Sequence, residues 1–549
     1  VYTTLGKVGS IAPFGSQSAF NRAYRWQYRL ALPGTVDFRP PFFAKGRGKE
    51  GLILPERKDI VNGFNPDYTD TDPTGFIQRI EMEERDSIGV MSTYLPYEED
   101  GPKKVAAVYS DKSVSPAFQP QAWKRTMEWL DSMFAGQMYD ILSVEEAISG
   151  LSAGADEPDS DAGMDTTTNS GHPFYIRPWR PYSGMDPKKQ AESTIAYKWY
   201  VNRVNQLVKE LNVDDDTLPT WIAIMGQRLV QKAEGKEEKR KRIIMAFPKE
   251  EAILWKLLTP VAMESIREWK LSGQVKIMCG WFDLPTIDIE MQRMLIHAES
   301  KGRTVLSGDV SNYDASLPPQ ILMDVGAVLA RHVSGKSRLY EKLVRAMLYN
   351  TYLITPNKLW EPQPSSLKSG SGVTNLIGSL TNIAIQYYGV EAGIYKLDNL
   401  AVLGDDFVLD GEGVSPEATE EVFSHLQMES HPDKQFYEPK ALHYLKRLHI
   451  LGLPGGIASV FRTLGSALSF EQLQFKPAEW NPFAYVVRAL SQLQNAVFNP
   501  AFEDLVHYLK SGDKYGLGAE YTPDELVKKA GKPGEQMLKA DETATWKHH

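Results

Sequence analysis

Ala401-Val402-Leu403-Gly404-Asp405-Asp406-Phe407-Val408-Leu409 is the stretch on which the reading of this chain turns. Two apolar runs flank a Gly-Asp-Asp centre, a pattern that predicts a tight β-hairpin with adjacent carboxylates at its tip. The apolar strands anchor the hairpin in a core while the tip stays polar. Neighbouring carboxylates repel each other, and holding both ionised is costly unless a cation lies beside them. A metal site follows from that chemistry, although Gly-Asp-Asp by itself is also a common turn tripeptide.

A second carboxylate pair lies upstream, in Val305-Leu306-Ser307-Gly308-Asp309-Val310-Ser311-Asn312-Tyr313-Asp314. Asp309 ends a short apolar strand, and Asp314 precedes Pro318 and a helix expected over Gln320 to His332. A strand-end aspartate beside a hairpin-tip aspartate is what two magnesium ions, roughly 3.5 to 4 Å apart, require. Magnesium suits the task because it takes a few carboxylate oxygens and leaves room for phosphate and water. Between the two pairs, Ser369-Gly370-Ser371-Gly372-Val373-Thr374-Asn375 opens a loop of small and hydroxylated residues that runs into a helix, Asn375 to Tyr388. Such a loop lets backbone approach a ligand while hydroxyls and amides read it.

The rest of the chain sets limits. Its 549 residues, 42% apolar and 11% aromatic, can bury several cores, which predicts an enzyme of several subdomains and not a small module. Cys279 is the only cysteine, which excludes an internal disulfide and any zinc site built on several thiolates. No run of 18 apolar residues and no charged-then-apolar start occurs, so neither a membrane span nor a secretory signal is expected. The net charge of -9 argues against a surface coated with cations, so if the chain binds RNA its positive charge must be gathered into channels. Asp156 to Asp165 reads as an acidic loop, and Val201, Val204, Val208 and Leu211 mark a helix over Glu192 to Leu211. With a further helix-like segment at Leu257 to Lys270, the middle third before residue 300 is expected to be largely helical. Short β-prone runs then alternate with helices, giving an α+β pattern.

The order of the motifs resembles palm motifs A, B and C of viral RNA-dependent RNA polymerases: Asp-x4-Asp at Asp309 and Asp314, Ser-Gly-x3-Thr at Ser369 to Thr374, and Gly-Asp-Asp at Gly404 to Asp406. The wording is most like that of picobirnavirus polymerases, with partitivirus and cystovirus enzymes as near relatives. The resemblance covers Thr304 to Leu409 strongly and extends from about Thr166 to Arg447. It implies a right hand of fingers, palm and thumb, with an antiparallel palm sheet and closed fingertips. The implied division is residues 1–120 linking fingers and thumb, 121–300 fingers, 301–460 palm with a finger-like helical insertion at about 318–360, and 461–549 thumb and C-terminal region.

Carried across by motif, Asp309 and Asp405 correspond to the principal ligands of two Mg2+ or Mn2+ ions, with Asp406 in a lesser role. Asp314 corresponds to the residue that senses the ribose 2'-hydroxyl. Many relatives pair it with an asparagine four residues after the motif B threonine, but here that position is Gly378, leaving Ser369, Thr374 and Asn375 as candidate readers of the ribose. The strip Lys239-Arg240-Lys241-Arg242 resembles finger motif F, in which Arg240 and Arg242 face the incoming nucleotide; as a motif-free strip it is equally a solvated charged face. Thr168-Asn169-Ser170-Gly171-His172-Pro173 is similar to motif G, which touches the template. Asp433-Lys434 resembles motif D, with Lys434 as proton donor to pyrophosphate, and Tyr444-Leu445-Lys446-Arg447 resembles the motif E grip on the primer strand. His431, His443 and His449 do not form a trusted metal-ligand spacing.

The implied activity is template-directed nucleotidyl transfer by a two-metal mechanism, replicating and transcribing a double-stranded RNA genome. RNA template, nascent RNA, ribonucleoside triphosphates and a viral capsid protein are the implied partners, and the virion interior and host cytoplasm the implied locations. Three rivals stay open on the residues alone. A reverse transcriptase shares the palm carboxylates but favours an aromatic residue where this chain has Leu403. A metal phosphohydrolase needs neither the Ser-Gly-Thr loop nor the basic strip, and an RNA-packaging protein would bind RNA without synthesis.

Overall fold

The computed structural model describes residues 57–88, 112–150, 163–228, 242–354, 359–430, 435–468 and 481–534, with short breaks at 69–70, 73, 167–169, 172–173, 175, 361–365 and 532. Helices and three small sheets alternate along the chain.

The helix Pro187–Leu211 follows from its sequence. Asp186 caps it by accepting from the N–H groups of Lys188 and Lys189, proline opens the first turn, and Ala196, Tyr200, Val204, Leu207 and Leu211 bury one face. It is not followed by continuous helix. Helices Lys249–Lys256, Thr259–Ile266 and Leu284–Ser300 keep the stretch before residue 300 largely helical, as expected, but strand β1 (Trp221–Arg228), paired antiparallel with β2 (Arg242–Ala246), interrupts it. Isoleucines and tryptophan in those stretches favour pleated over helical backbone.

The first carboxylate motif lies at the end of β3 (Leu306–Gly308), the short strand expected before Asp309. Two antiparallel helices follow, Pro319–Arg331 and Ser337–Tyr349, and then β4 (Thr351–Ile354) and β5 (Leu359–Trp360). β4 runs parallel to β1, so the four-stranded sheet has the order β2-β1-β4-β5 and joins two distant parts of the sequence.

The helix Thr374–Glu391 is buried on nearly every side, from Leu376 through Gln386, and is the axis of the largest core. Next comes the expected hairpin, β6 (Asn399–Leu403) and β7 (Asp406–Asp410), with β3 on its outer side in the order β3-β7-β6. One face of this sheet, through Leu306, Val402, Phe407 and Leu409, packs into the largest core. The other face, through Ala401 and Val408, packs on the helix Leu284–Ser300 and on β8 (Ala441–Tyr444). β8 pairs with β9 (Arg447–Ile450), which pairs with β10 (Ile457–Ala458).

The helices after residue 460 share a core with the N-terminal segment: Val61, Phe64, Tyr68 and Ile77 pack among Val460, Phe461, Leu464 and Leu505. Glu81 ties the two. Its carboxylate accepts from the Ser459 hydroxyl and from the N–H groups of Val460 and Phe461, at the start of the helix Val460–Leu468. Among the described residues no helix is long and apolar enough to cross a membrane.

Candidate active site

Antiparallel register brings the two acidic motifs together. Gly308 stands opposite Phe407, so the next residue, Asp309, leaves β3 beside the strand end that begins with Asp406. Neighbouring strands lie about 4.8 Å apart. Glycine at 308 makes room for Phe407: a Cβ there would sit 2.1 Å from the tip of its buried ring, which would have to move. Asp309 and Asp405 are exposed and Asp406 is half-buried.

The hairpin loop is the pair Gly404-Asp405, with Leu403 opposite Asp406 and Gly404 at φ 61°. Glycine takes that left-handed conformation without the Cβ clash other residues meet. Two buried side chains of the helix Thr374–Glu391 hold the loop. The Ser379 hydroxyl accepts from the N–H of Gly404 at 2.8 Å, and the Asn382 amide donates to the carbonyls of Gly404 at 2.9 Å and Asp405 at 3.3 Å. Gln386 donates to Asn382, and Tyr395 donates to Gln386, so the chain of bonds continues through the core. Sequence reading missed Ser379 and Asn382. Their signal was polarity at i, i+3 within the buried stretch of a mostly apolar helix.

Asp314 lies on a short turn of helix, Tyr313–Ser316, which starts after left-handed Asn312 at φ 52°. Tyr313 donates to the carbonyl of Gly378 at 2.8 Å, joining motif A to the helix where many relatives carry asparagine. Burial, then the charges of Asp314 and Asp405, hold the Tyr313 phenol protonated. Both carboxylates lie near enough for their charge to act on that phenol.

The small-residue loop packs on β2. Met245 N–H donates to the Ser369 carbonyl at 2.9 Å, and a Cβ at Gly370 (φ 107°) would strike the Met245 carbonyl at 2.4 Å. Arg242 starts that same strand, and Lys239 and Lys241 of the basic strip lie outside the described residues. Arg240 lies outside the described residues, and so does Lys434. Asn375 is exposed and its side-chain oxygen accepts from Trp281 Nε1 at 2.9 Å. The Thr374 hydroxyl is committed inward, donating to the carbonyls of Lys368 and Ser371, so as a reader of the ribose it can only accept.

The metal expectation has support in its donors but not in closure. Exposed carboxylates on adjacent strand ends suit a divalent cation that also takes phosphate oxygens. Among the described residues, however, no three such groups are gathered tightly enough to hold an ion.

The sequence pattern of the family described as viral RNA-dependent RNA polymerase matches residues 113–448, more than half of the chain. The chain belongs to this family. It is 23% identical over 451 residues to a potential RNA-dependent RNA polymerase of a human picobirnavirus (strain Human/Thailand/Hy005102/-), covering 76% of this chain and 82% of that one. In fold it is similar to the crystal structure of a human picobirnavirus RNA-dependent RNA polymerase, with TM-score 0.69, 18% identity and 96% of both chains covered. An insertion-loop deletion mutant of a human picobirnavirus polymerase gives TM-score 0.68 at 18% identity, with 98% and 99% covered. The Sicinivirus 3Dpol enzyme gives 0.51 at 12% identity, with 92% and 98% covered. These likenesses establish a right-hand polymerase fold.

Two of the polymerase's expected nucleic-acid contacts need correction. Ser170 is buried: its hydroxyl accepts from Ile176 N–H and donates to the Gly171 carbonyl, closing a turn and not touching a template. Gly171 is half-buried beside it, at φ 68°. Arg447 is buried too, paired through both terminal nitrogens with Asp288 and bonded to the Gly456 carbonyl. A guanidinium satisfied in this way is not free to grip a primer. Lys446, at the tip of the β8–β9 hairpin with φ 62°, is exposed. Of the histidines, half-buried His443 and buried His449 are pushed down to about 4 and about 3, first by burial and then by neighbouring cations; His431 lies outside the described residues.

Proposed function

We propose that this polymerase extends RNA by two-metal nucleotidyl transfer, with Asp309 and Asp405 as principal ligands of two Mg2+ or Mn2+ ions and Asp406 in support. One observation carries the reading: the Gly308–Phe407 register sets Asp309 beside the hairpin tip that Ser379 and Asn382 hold. When bound, the ions would activate the primer hydroxyl and neutralise charge on the triphosphate. The chain's own residues do the positioning. Asp314, with Ser369 or Asn375, reads the ribose 2'-hydroxyl, which both donates and accepts. Arg240 and Arg242 guide the triphosphate, the 3'-hydroxyl attacks the α-phosphate, and Lys434 offers a proton to the departing pyrophosphate. Gly171 borders the template path, and Lys446 steadies the primer strand through its charge.

In this reading the sheet β3-β7-β6 is the palm, the helices and four-stranded sheet before residue 300 and around 318–360 are fingers with closed tips, and the helices after 460 are the thumb. The wider role is replication and transcription of a double-stranded RNA genome, inside a capsid in the host cytoplasm, with capsid protein as partner.

The test is synthesis. Single-stranded RNA, labelled ribonucleotides and Mg2+ or Mn2+ should give full-length product with the wild type and none with Asp309→Ala or Asp405→Ala, while RNA binding and folding persist. Full activity in either variant would end the two-metal assignment; binding without synthesis in the wild type would leave a packaging protein.

A further inference from the structure

The loop that carries the ribose-reading candidates is gripped by a buried carboxylate that the mechanism above does not use. Glu251 lies in the first turn of the helix Lys249–Lys256 and is fully buried. One carboxylate oxygen accepts from the Ser371 hydroxyl at 2.5 Å and the other from the Gly372 N–H at 3.1 Å. The fit is also steric, since a Cβ at Gly372 would stand 3.1 Å from Ala252 Cα and Trp255 Cβ. From the other side, Lys368 donates to the carbonyls of Met347 and Leu348 at the end of the helix Ser337–Tyr349. The segment from Lys368 to Thr374 thus has its inner face fully engaged, while Gly370, Gly372 and Asn375 are exposed and Ser369 is half-exposed.

Packing alone does not account for a carboxylate here. Burial pushes Glu251 up to about 7, a desolvation cost that an apolar side chain of the same volume would not carry. What the carboxylate provides is two directed acceptors for the loop. The same helix continues from β2 through Phe247 and Pro248, and β2 itself bonds to Ser369, so strand, helix and loop are linked at three points.

We propose that Glu251 is a positioning residue for nucleotide selection, fixing through Ser371 and Gly372 the loop that presents Ser369 and Asn375 to the ribose of the incoming nucleotide. The proposal rests on the polymerase reading given above. It makes Glu251 part of sugar discrimination although it touches no substrate.

The experiment compares Glu251→Ala, Glu251→Gln and Ser371→Ala with the wild type. It measures single-turnover incorporation of ribo- against deoxyribonucleotide, together with hydrogen exchange of the peptide spanning 369–375. Losing a charged acceptor pair should lower the ribose preference of Glu251→Ala about tenfold or more and speed exchange in that peptide. Glu251→Gln keeps an oxygen acceptor and should recover much of both. Ser371→Ala should fall between, and adding it to Glu251→Ala should cost little more, because the two residues act through one bond. Should Glu251→Ala fail to fold, Ser371→Ala still decides the matter, since it removes the contact and leaves the helix intact. Unchanged ribose preference in the folded variants, or unchanged exchange at 369–375, overturns the proposal. A wild type that makes no RNA overturns the polymerase reading instead, so the two failures are distinct.

Discussion

The side-chain amide of Asn382 donates to the carbonyl oxygens of both Gly404 and Asp405, so the buried middle of a helix sets the pose of the exposed hairpin tip. Asn382→Ala frees that tip and leaves Gln386 without its acceptor. Misplacing a reacting group by about 1 Å can cost on the order of 100-fold, while the lost buried bonds cost about 1–3 kcal/mol of stability. Incorporation should therefore fall by roughly 10- to 100-fold in protein that still melts cooperatively. A variant with wild-type turnover would show that the tip holds its pose without the helix.

Asp405 and Asp406 are expected to differ. Asp405 is exposed in the loop, whereas Asp406 starts β7, half-buried, and is one of the charges that keep the Tyr444 phenol protonated. Asp405→Ala should abolish synthesis and Asp406→Asn should leave a measurable rate. Equal losses in a primer-extension series would place both residues in the same role.

Arg447 and Lys446 should separate stability from RNA binding. Removing the buried guanidinium strands Asp288, an uncompensated charge that typically costs about 3–5 kcal/mol. Arg447→Ala should lower the denaturation midpoint sharply. Lys446→Ala should leave that midpoint alone and weaken RNA binding, with a shallower salt dependence. The opposite pattern would restore Arg447 as a primer contact.

Two buried groups give the protein opposite pH dependences. Glu251 binds its proton up to about 7 when folded but only to about 4.5 when unfolded, so its contribution to stability falls as pH rises through that window. Burial pushes Lys368 down from 10.5 to about 7, so between those values the unfolded chain holds the extra proton and stability rises with pH. Each slope is at most about 1.4 kcal/mol per pH unit. In urea titrations across this range, Glu251→Gln should flatten the acidic limb and Lys368→Met the alkaline one. Unaltered limbs would mean that neither group titrates in the fold.

The hairpin, the long helix from Pro187 and the helix after the Ser-Gly loop were legible because local pattern and burial agree there. β1 and β2 were not, since β1 is completed by β4, more than a hundred residues away, and pairing at that distance leaves no local period. The acidic residues could be found by type and order. Ser379, Asn382 and Glu251 could not, because a polar residue inside an apolar helix shows its purpose only when its partner is in place. Ser170 and Arg447 misled for the converse reason: short motifs name residue types, and burial decides whether a side chain faces solvent or the core.

Glu81 and the helix it caps are separated by 378 positions in sequence at the Ser459 contact. At about 5–20 residues per second of synthesis, the acceptor waits roughly 20–80 s on the ribosome before its donors exist. During that interval Val61, Phe64 and Ile77 lack the residues they pack against in the finished fold. The first and last parts of the described fold can therefore be completed only together.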